Sequence, residues 1–336
     1  MSAKITFIGD IMPHSAILES CRKNGAYNFD GLFKHVLPYL HDCDYLVANP
    51  EFGLRATEEV TFEGDANDFK GSLNKEDYPY VILDNTRLKT ILISCPKELL
   101  DYLINVVGIN LFTLANNHAL DCGTKCLEEF KRILSANNCD YIGTPNTDGI
   151  IKEINGFKIG FYNSTHFSKS VPEGYYGHFI RHHPNEERLL ELRKDCDILI
   201  VVPHWGIEYT LGPTDYQTRC EDLFKRCNAD YIIGGHAHSI SKYCLGNFIC
   251  GRDKAESRLG SIVTVTINED GHREEAVVYT WCAMPETVEK SFAVVPVEKV
   301  ISGDIQMEEK EKNIMIKTFN TSFNNGNLSI LPILKY

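Results

Sequence analysis

The sharpest chemical signal in the chain is Gly234-Gly235-His236-Ala237-His238, where two imidazoles flank one small residue behind a glycine pair. In extended backbone both rings point to one side, as ligation of two neighbouring metals requires, and the glycines let other backbone come close. A pair of structural histidines is the alternative. Asp10, in Gly9-Asp10-Ile11-Met12, and Glu51, in Asn49-Pro50-Glu51, add carboxylates; each also reads as a turn, cap or surface acid. Asn116-Asn117-His118 offers an amide oxygen for a hard metal beside an imidazole able to hand a proton to a leaving group, or else an Asn-rich turn with a bonded histidine. His204, in His204-Trp205-Gly206 with Glu208 and Tyr209 just behind, is a ligand or a core histidine bonded to backbone. What joins these groups is position. Each follows an apolar run, in the order carboxylate, carboxylate, amide-His, His, His-x-His, and independent accidents do not arrange themselves so. The mixed nitrogen and oxygen set suits Zn²⁺, Mn²⁺ or Fe²⁺ better than Ca²⁺ or a thiolate-bound cluster.

The apolar runs that must carry these groups are Ile5–Ile8, Tyr45–Ala48, Asn110–Ala115, Ile198–Val202 and Tyr231–Ile233, which read as buried strands. Helical apolar spacing falls between them, over Phe29–Leu40, Pro96–Val107, Thr124–Leu134, Glu186–Arg193 and Asp215–Cys227. Hairpins are expected over Ile151–Asn163, around Asn155-Gly156, and over Ser261–Trp281, around Glu269-Asp270-Gly271. Alternating elements together with hairpins favour mixed sheets stacked face to face and flanked by helices, a four-layer α/β/β/α sandwich. One domain should run over residues 1–302. Residues 303–336 read as an extension without assigned function, with a solvated charge run at Glu308–Lys312 and a loop at Asn320–Asn327.

Composition narrows the partners. With 336 residues, 43% of them hydrophobic, the chain can bury a sizeable core. A net charge of −12 argues against nucleic acid and anionic membranes, although bound metals would reverse the local field and capture an anion. The N-terminus lacks a secretory pattern and no apolar run approaches the ~20 residues of a membrane span, so a cytoplasmic location is expected. Twelve scattered cysteines then read as reduced thiols. Among the other histidines, His35, His41, His178, His182, His183 and His272 read as surface residues, whereas His166, after Ile159–Tyr162, could line the same cleft as the ligands.

The stretches Gly9–Met12, Asn49–Glu51, Ala115–Gly123, His204–Tyr209, Gly234–His238 and Tyr243–Phe248 resemble those of the CapA family, the capsule or poly-γ-glutamate biosynthesis branch of the metallophosphoesterase-like superfamily. The resemblance covers residues 4–251 and implies the calcineurin-like metallophosphoesterase fold with a pair of divalent metal ions. It puts Asp10 and His238 on one ion, Asn117, His204 and His236 on the other, and Glu51 between them. It further implies that His118 protonates a leaving oxygen, and that Asn116, Asp121, Tyr209, Gln217 and Asn247 support the site or face the substrate. Two departures stand out: Met12 replaces the histidine of the usual Asp-x-His, and Glu51 replaces a bridging Asp. The first metal site then has a ligand fewer unless His14 supplies it. The implied activity is hydrolysis of a phosphoester on a small anionic substrate. Its rivals are an amide reaction on a γ-glutamyl substrate and a non-catalytic binding or assembly module, to which Met12 points.

Overall fold

The runs read as core strands are strands because their side chains are buried on both faces. The computed structural model describes residues 2–55, 82–85, 88–91, 93–144, 147–166, 184–210, 212–324 and 334–336. The first sheet contains β1 (Ala3–Met12), β2 (Tyr45–Pro50), β3 (Leu111–Thr113) and β4 (Asp140–Ile142). The second contains β5 (Gly149–Ile154), β6 (Phe157–Thr165), β7 (Ile198–His204) and β8 (Tyr231–Ile232). The chain then returns to the first sheet with β9 (Asn247–Cys250), β10 (Leu259–Ile267), β11 (Arg273–Ala283) and β12 (Ala293–Pro296), and adds β13 (Leu334–Lys335) to the second. The strand orders are β4-β3-β2-β1-β10-β11-β12, with β9 also on β1, and β5-β6-β7-β8-β13.

Alternate residues of each strand reach different layers, the period-2 geometry of a strand covered on both sides. Ile5, Phe7, Tyr45, Val47 and Leu111 pack inward on Ile159, Phe161, Ile198, Ile200 and Tyr231 of the facing sheet. Leu46, Ala48 and Phe112 face outward onto Phe33, Leu99, Leu100, Leu127 and Phe130, from helices Asp30–Phe33, Lys97–Tyr102 and Gly123–Ala136. On the opposite side Leu199, Val201 and Ile232 meet Leu189 and Phe224, from helices Glu186–Asp195 and Asp215–Arg226. This is the α/β/β/α sandwich expected from the sequence. Strands β4, β3, β2, β1 and β9 of the first sheet run parallel, as do β6, β7 and β8 of the second. Their carboxyl ends converge, which is where layered α/β folds bind ligands. Asn163 of β6 stitches the sheets together there, accepting from Ala115 N–H at 2.8 Å and donating to Val202 C=O at 2.6 Å.

The first expected hairpin turns at Asn155 and Gly156, both at positive φ (49° and 87°), the pattern of a type I′ turn. The second, β10–β11, is closed by Asn268 N–H on His272 C=O at 2.9 Å. Two helical expectations change in form. Phe29–Leu40 is split into helices Asp30–Phe33 and Leu37–Leu40, because Pro38 has no N–H for the preceding turn and its ring crowds the carbonyl four residues back. Pro96–Val107 becomes helix Lys97–Tyr102 followed by a π turn, Leu103–Val107, which ends on the left-handed Gly108. None of the twelve cysteines forms a disulfide, and among the described residues no helix is long and apolar enough to cross a membrane.

The C-terminal part is more ordered than its composition suggested. Glu309–Asn324 is a helix, so the loop expected from Asn320 is helical as far as Asn324, and the remainder of Asn320–Asn327 lies outside the described residues. Met315 and Phe323 pack against Trp281, Ala283 and Val295. Glu311, in the run expected to be solvated, is buried: its carboxylate accepts from the Arg258 guanidinium, from Trp281 Nε1 at 2.9 Å and from Met284 N–H at 3.2 Å. An ion pair held this way leaves a buried, uncompensated charge when one partner goes. Glu311→Ala should therefore lower stability by about 3–5 kcal/mol in urea unfolding; a loss below ~1 kcal/mol, the size of an exposed pair, would contradict the pairing.

Candidate metal centre

Asp10 sits at an irregularity in β1, where the pairing with β9 shifts register between Asp10 and Ile11. Its carboxylate is pinned from both sheets: Oδ1 accepts from Asn49 Nδ2 and Oδ2 from His236 N–H, each at 2.7 Å. Glu51 follows β2, fully buried, with its N–H on Ile11 C=O at 3.1 Å. The glycine pair has a steric reason. A Cβ on Gly235 would lie 2.4 Å from Asp10 Oδ1, and one on Gly234 would lie 2.2 Å from Tyr243 C=O. The His-x-His segment is not extended, as the sequence had suggested. His236 and His238 both lie at positive φ (85° and 52°), and their rings still converge, with centroids 5.9 Å apart. Side chains held in this region are strained, and such strain concentrates at functional sites.

Two buried groups result, Asp10 with Glu51 and His238, and Glu51 with His204 and His236; in each, the candidate ligand atoms lie within 4.8 Å of one another. Glu51 belongs to both. His204 Nε2 is 3.5 Å from Glu51 Oε1, 3.1 Å from His236 Nδ1 and 2.6 Å from Asn117 Oδ1, so the amide joins the second group. The first group provides a test of fit. Asn247 donates through Nδ2 to Ser257 C=O, which turns its Oδ1 toward His238 Nδ1 at 2.8 Å. Nδ1 therefore carries the proton, and Nε2 presents a lone pair. That Nε2 is buried with no hydrogen-bond partner among the described residues, 3.9 Å from Glu51 Oε1. A lone pair facing a carboxylate oxygen is repulsive unless a cation lies between them, and an imidazole oriented through its other nitrogen is a common form of metal ligand. The residues present thus fit a divalent metal.

Around the ligands, His118 Nδ1 is bonded to Asp121, whose Oδ2 also accepts from Ile93 N–H at 2.7 Å, and His118 Nε2 lies 3.9 Å from Glu51 Oε1. Asn116 braces the loop, donating to Asn49 Oδ1 and Pro50 C=O and accepting from His118 N–H, all at 3.0 Å. Tyr209 reaches the rim, its ring 5.8 Å from that of His238. Gln217 gives its side-chain oxygen to Thr214 in the capping box of helix Asp215–Arg226, and its amide lies against Gly206 of the His204 motif. His14 is engaged elsewhere: its Nε2 lies 3.2 Å from Arg252 Nε, and its Nδ1 lies 3.0 Å from Met12 C=O and 3.2 Å from Gly251 N–H. Met12 itself packs in the outer core. His166 is half-buried and stacks on Tyr216, with centroids 3.7 Å apart. Of the expected surface histidines, His41 and His272 are exposed and His35 is half-buried beside Glu289, while His178, His182 and His183 lie outside the described residues. The sequence reading missed Asn49, whose Nδ2 also lies 3.0 Å from His204 Nδ1 and so touches both groups; its place two residues before Glu51 was the available signal.

Residues 4–252 match the family described as bacterial capsule synthesis protein PGA_cap. The chain belongs to this family. The Capsule biosynthesis protein CapA of Bacillus anthracis is 23% identical over 294 residues, covering 80% of this chain and 64% of that protein. The PGA biosynthesis protein CapA of Bacillus subtilis (strain 168) is 24% identical over 294 residues, covering 79% of this chain and 68% of that protein. The match thus spans about two thirds of each relative's length. A crystal structure of a hypothetical protein from Thermus thermophilus aligns with a TM-score of 0.46 at 12% identity, over 82% of this chain and 99% of that one.

In this PGA_cap member, burial and then the Glu51 charge push the Asp10 carboxyl up to about 7. Burial pulls His204 down to about 4 and His238 well below the usual histidine range, so both imidazoles are neutral, the form that ligates. In metal-free protein Asp10, raised from 3.8, contributes stability that is complete below its unfolded value and lost as pH rises through about 7. His204, lowered from 6.5, acts in the opposite sense, with its contribution present above 6.5 and lost as pH falls toward about 4. His238, lowered further, acts in the same sense as His204, so below 6.5 the two imidazoles outweigh the single carboxyl. Chelated protein should therefore melt lower at about pH 5 than at about pH 7; a chelated Tm that is flat or rising as pH falls over that interval would contradict the assignment.

Proposed function

We propose that this chain is a metal-dependent hydrolase of phosphoesters on small anionic substrates, built on a dinuclear centre. Asp10, Glu51 and His238 would hold one divalent ion, and Glu51, Asn117, His204 and His236 the other, with Mn²⁺, Zn²⁺ or Fe²⁺ suited to the donor set. The observation that carries this reading is Glu51, fully buried and shared by both groups. Bound there, the metals supply a water acidic enough to ionise near neutral pH, and positive charge for the oxygens of the reacting group.

The protein's own part is orientation and proton delivery. Asp10 holds Asn49 and the His236 backbone, so that loops from both sheets are locked before substrate arrives. Asp121 takes the Nδ1 proton of His118 in a hydrogen bond and aims Nε2 at the Glu51 side of the cluster, from which a proton can pass to a leaving oxygen. Asn247 fixes the His238 ring through Nδ1. The cytoplasmic setting remains part of the proposal, in keeping with twelve cysteines held as thiols rather than disulfides.

The names of the CapA relatives favour a second reading, metal-dependent cleavage or transfer at a γ-glutamyl amide, because an activated water attacks carbonyls as well. Parallel assays on a phosphomonoester and phosphodiester panel and on γ-linked glutamate oligomers separate the two. On the productive substrate His118→Ala should lower kcat by about 10²–10⁴-fold with metal retained. Unchanged turnover in metal-replete His118→Ala would remove the acid from the scheme.

A further inference from the structure

We propose that Arg252 and Lys254, which meet on Tyr209 at the rim of the metal-ligand cluster, form an anion-recognition subsite for a phosphate or carboxylate group of the substrate. The inference deepens the hydrolase reading and rests on it for the word substrate.

Arg252 is half-buried, yet it has no carboxylate within ion-pair distance among the described residues. Four other half-buried or buried arginines of this chain do meet one: Arg188 meets Asp148, Arg193 and Arg273 meet Asp230, and Arg258 meets Glu311. Arg252 is held instead by neutral acceptors, donating from Nε to His14 Nε2 at 3.2 Å and from Nη1 to the Tyr209 hydroxyl. Two of its donors are thereby used for orientation, and the rest of the fork is left to bind an oxyanion. Lys254 places its ammonium 3.5 Å from the centroid of the same tyrosine ring. Tyr209 stands at φ +62°, in the left-handed region, with its N–H on Ala237 C=O at 2.7 Å, and its ring lies 5.8 Å from that of His238. The strained residue thus joins the cations to the loop that carries the imidazoles. In a chain of net charge −12, with Glu208 beside Tyr209 and Glu256 in the adjoining cleft, Arg252 and Lys254 supply the positive charge an anion would meet at this rim.

Behind Tyr209 and Ser239 opens a cleft of about 510 Å³, walled on the far side by Lys317 and Thr318 of helix Glu309–Asn324, with Glu256 also in its lining. Lys254 and this helix lie beyond residues 4–252, so part of the subsite comes from outside the segment that matches the family. Ligand length and charge would be read by this chain's own C-terminal part.

Calorimetry on the metal-loaded full chain with inorganic phosphate and with L-glutamate tests the proposal, alongside Arg252→Gln and Lys254→Gln, with metal content measured for each. Arg252→Gln should weaken the better probe by about 10- to 100-fold and Lys254→Gln by a smaller factor, with metal content unchanged. The better probe identifies the oxyanion as phosphate or carboxylate. Wild-type affinity in metal-replete Arg252→Gln, or binding of neither probe by wild type, overturns the proposal. Should the Arg252 variant not fold, a crystal structure of wild type with phosphate decides: an oxyanion on the Arg252 fork supports the subsite, and one on the ligand cluster alone refutes it. Arg252-dependent binding in a protein inert toward every phosphoester would remove the hydrolase reading and leave the anion site standing.

Discussion

Two carboxylates buried side by side cannot both remain ionised in a dry interior unless a cation joins them, and this constraint governs the end of the sandwich where the sheets meet. Asp10 and Glu51 leave adjacent parallel strands within reach of three imidazoles, all shielded from bulk water. Without a cation, the protein relieves the repulsion by raising the proton affinity of Asp10 and keeping the imidazoles neutral. A neutral imidazole and a carboxylate readily freed of its proton are what a divalent ion needs. The mutual repulsion of these groups and their suitability for metal are one property.

The fold makes that crowding possible through close backbone approach. Gly235 leaves room for the Asp10 carboxylate, and Gly9 lets β1 come against Gly246, where a Cβ would lie 2.4 Å from the carbonyl oxygen. Asn163 locks the sheets just below, in a space so tight that a Cβ on Gly143 would sit 1.9 Å from its amide oxygen. The non-glycine residues in left-handed backbone include His236, His238 and Tyr209, all at the centre or its rim. Local strain there is held by contacts from both sheets, so the ligand loops are positioned by the whole sandwich.

Much of this was legible in sequence for a definable reason. Strands buried on both faces appear as short continuous apolar runs, and the groups that carry chemistry begin where those runs stop, so Asp10, Glu51, Asn117, His204, His236 and His238 could be picked out together. What escaped depended on contacts between distant segments. Asn49 matters because it reaches Asp10 on the neighbouring strand and the ring of His204 in the facing sheet, contacts at which its place two residues before Glu51 only hinted. Arg252 matters because of what it lacks. The helix Glu309–Asn324 was obscured by its charged and Asn-rich surface, although Met315, Phe319 and Phe323 recur at four-residue spacing on one face. Gln217, which the family resemblance implied as a supporting residue, caps the start of helix Asp215–Arg226 with its side chain.

The dinuclear claim is tested most directly by elemental analysis of protein purified without chelator, with Glu51→Ala beside the wild type. About two equivalents of transition metal per wild-type chain, falling sharply when the shared carboxylate is removed, is the predicted result. Fewer than about one equivalent in the wild type, or full occupancy in Glu51→Ala, would contradict it.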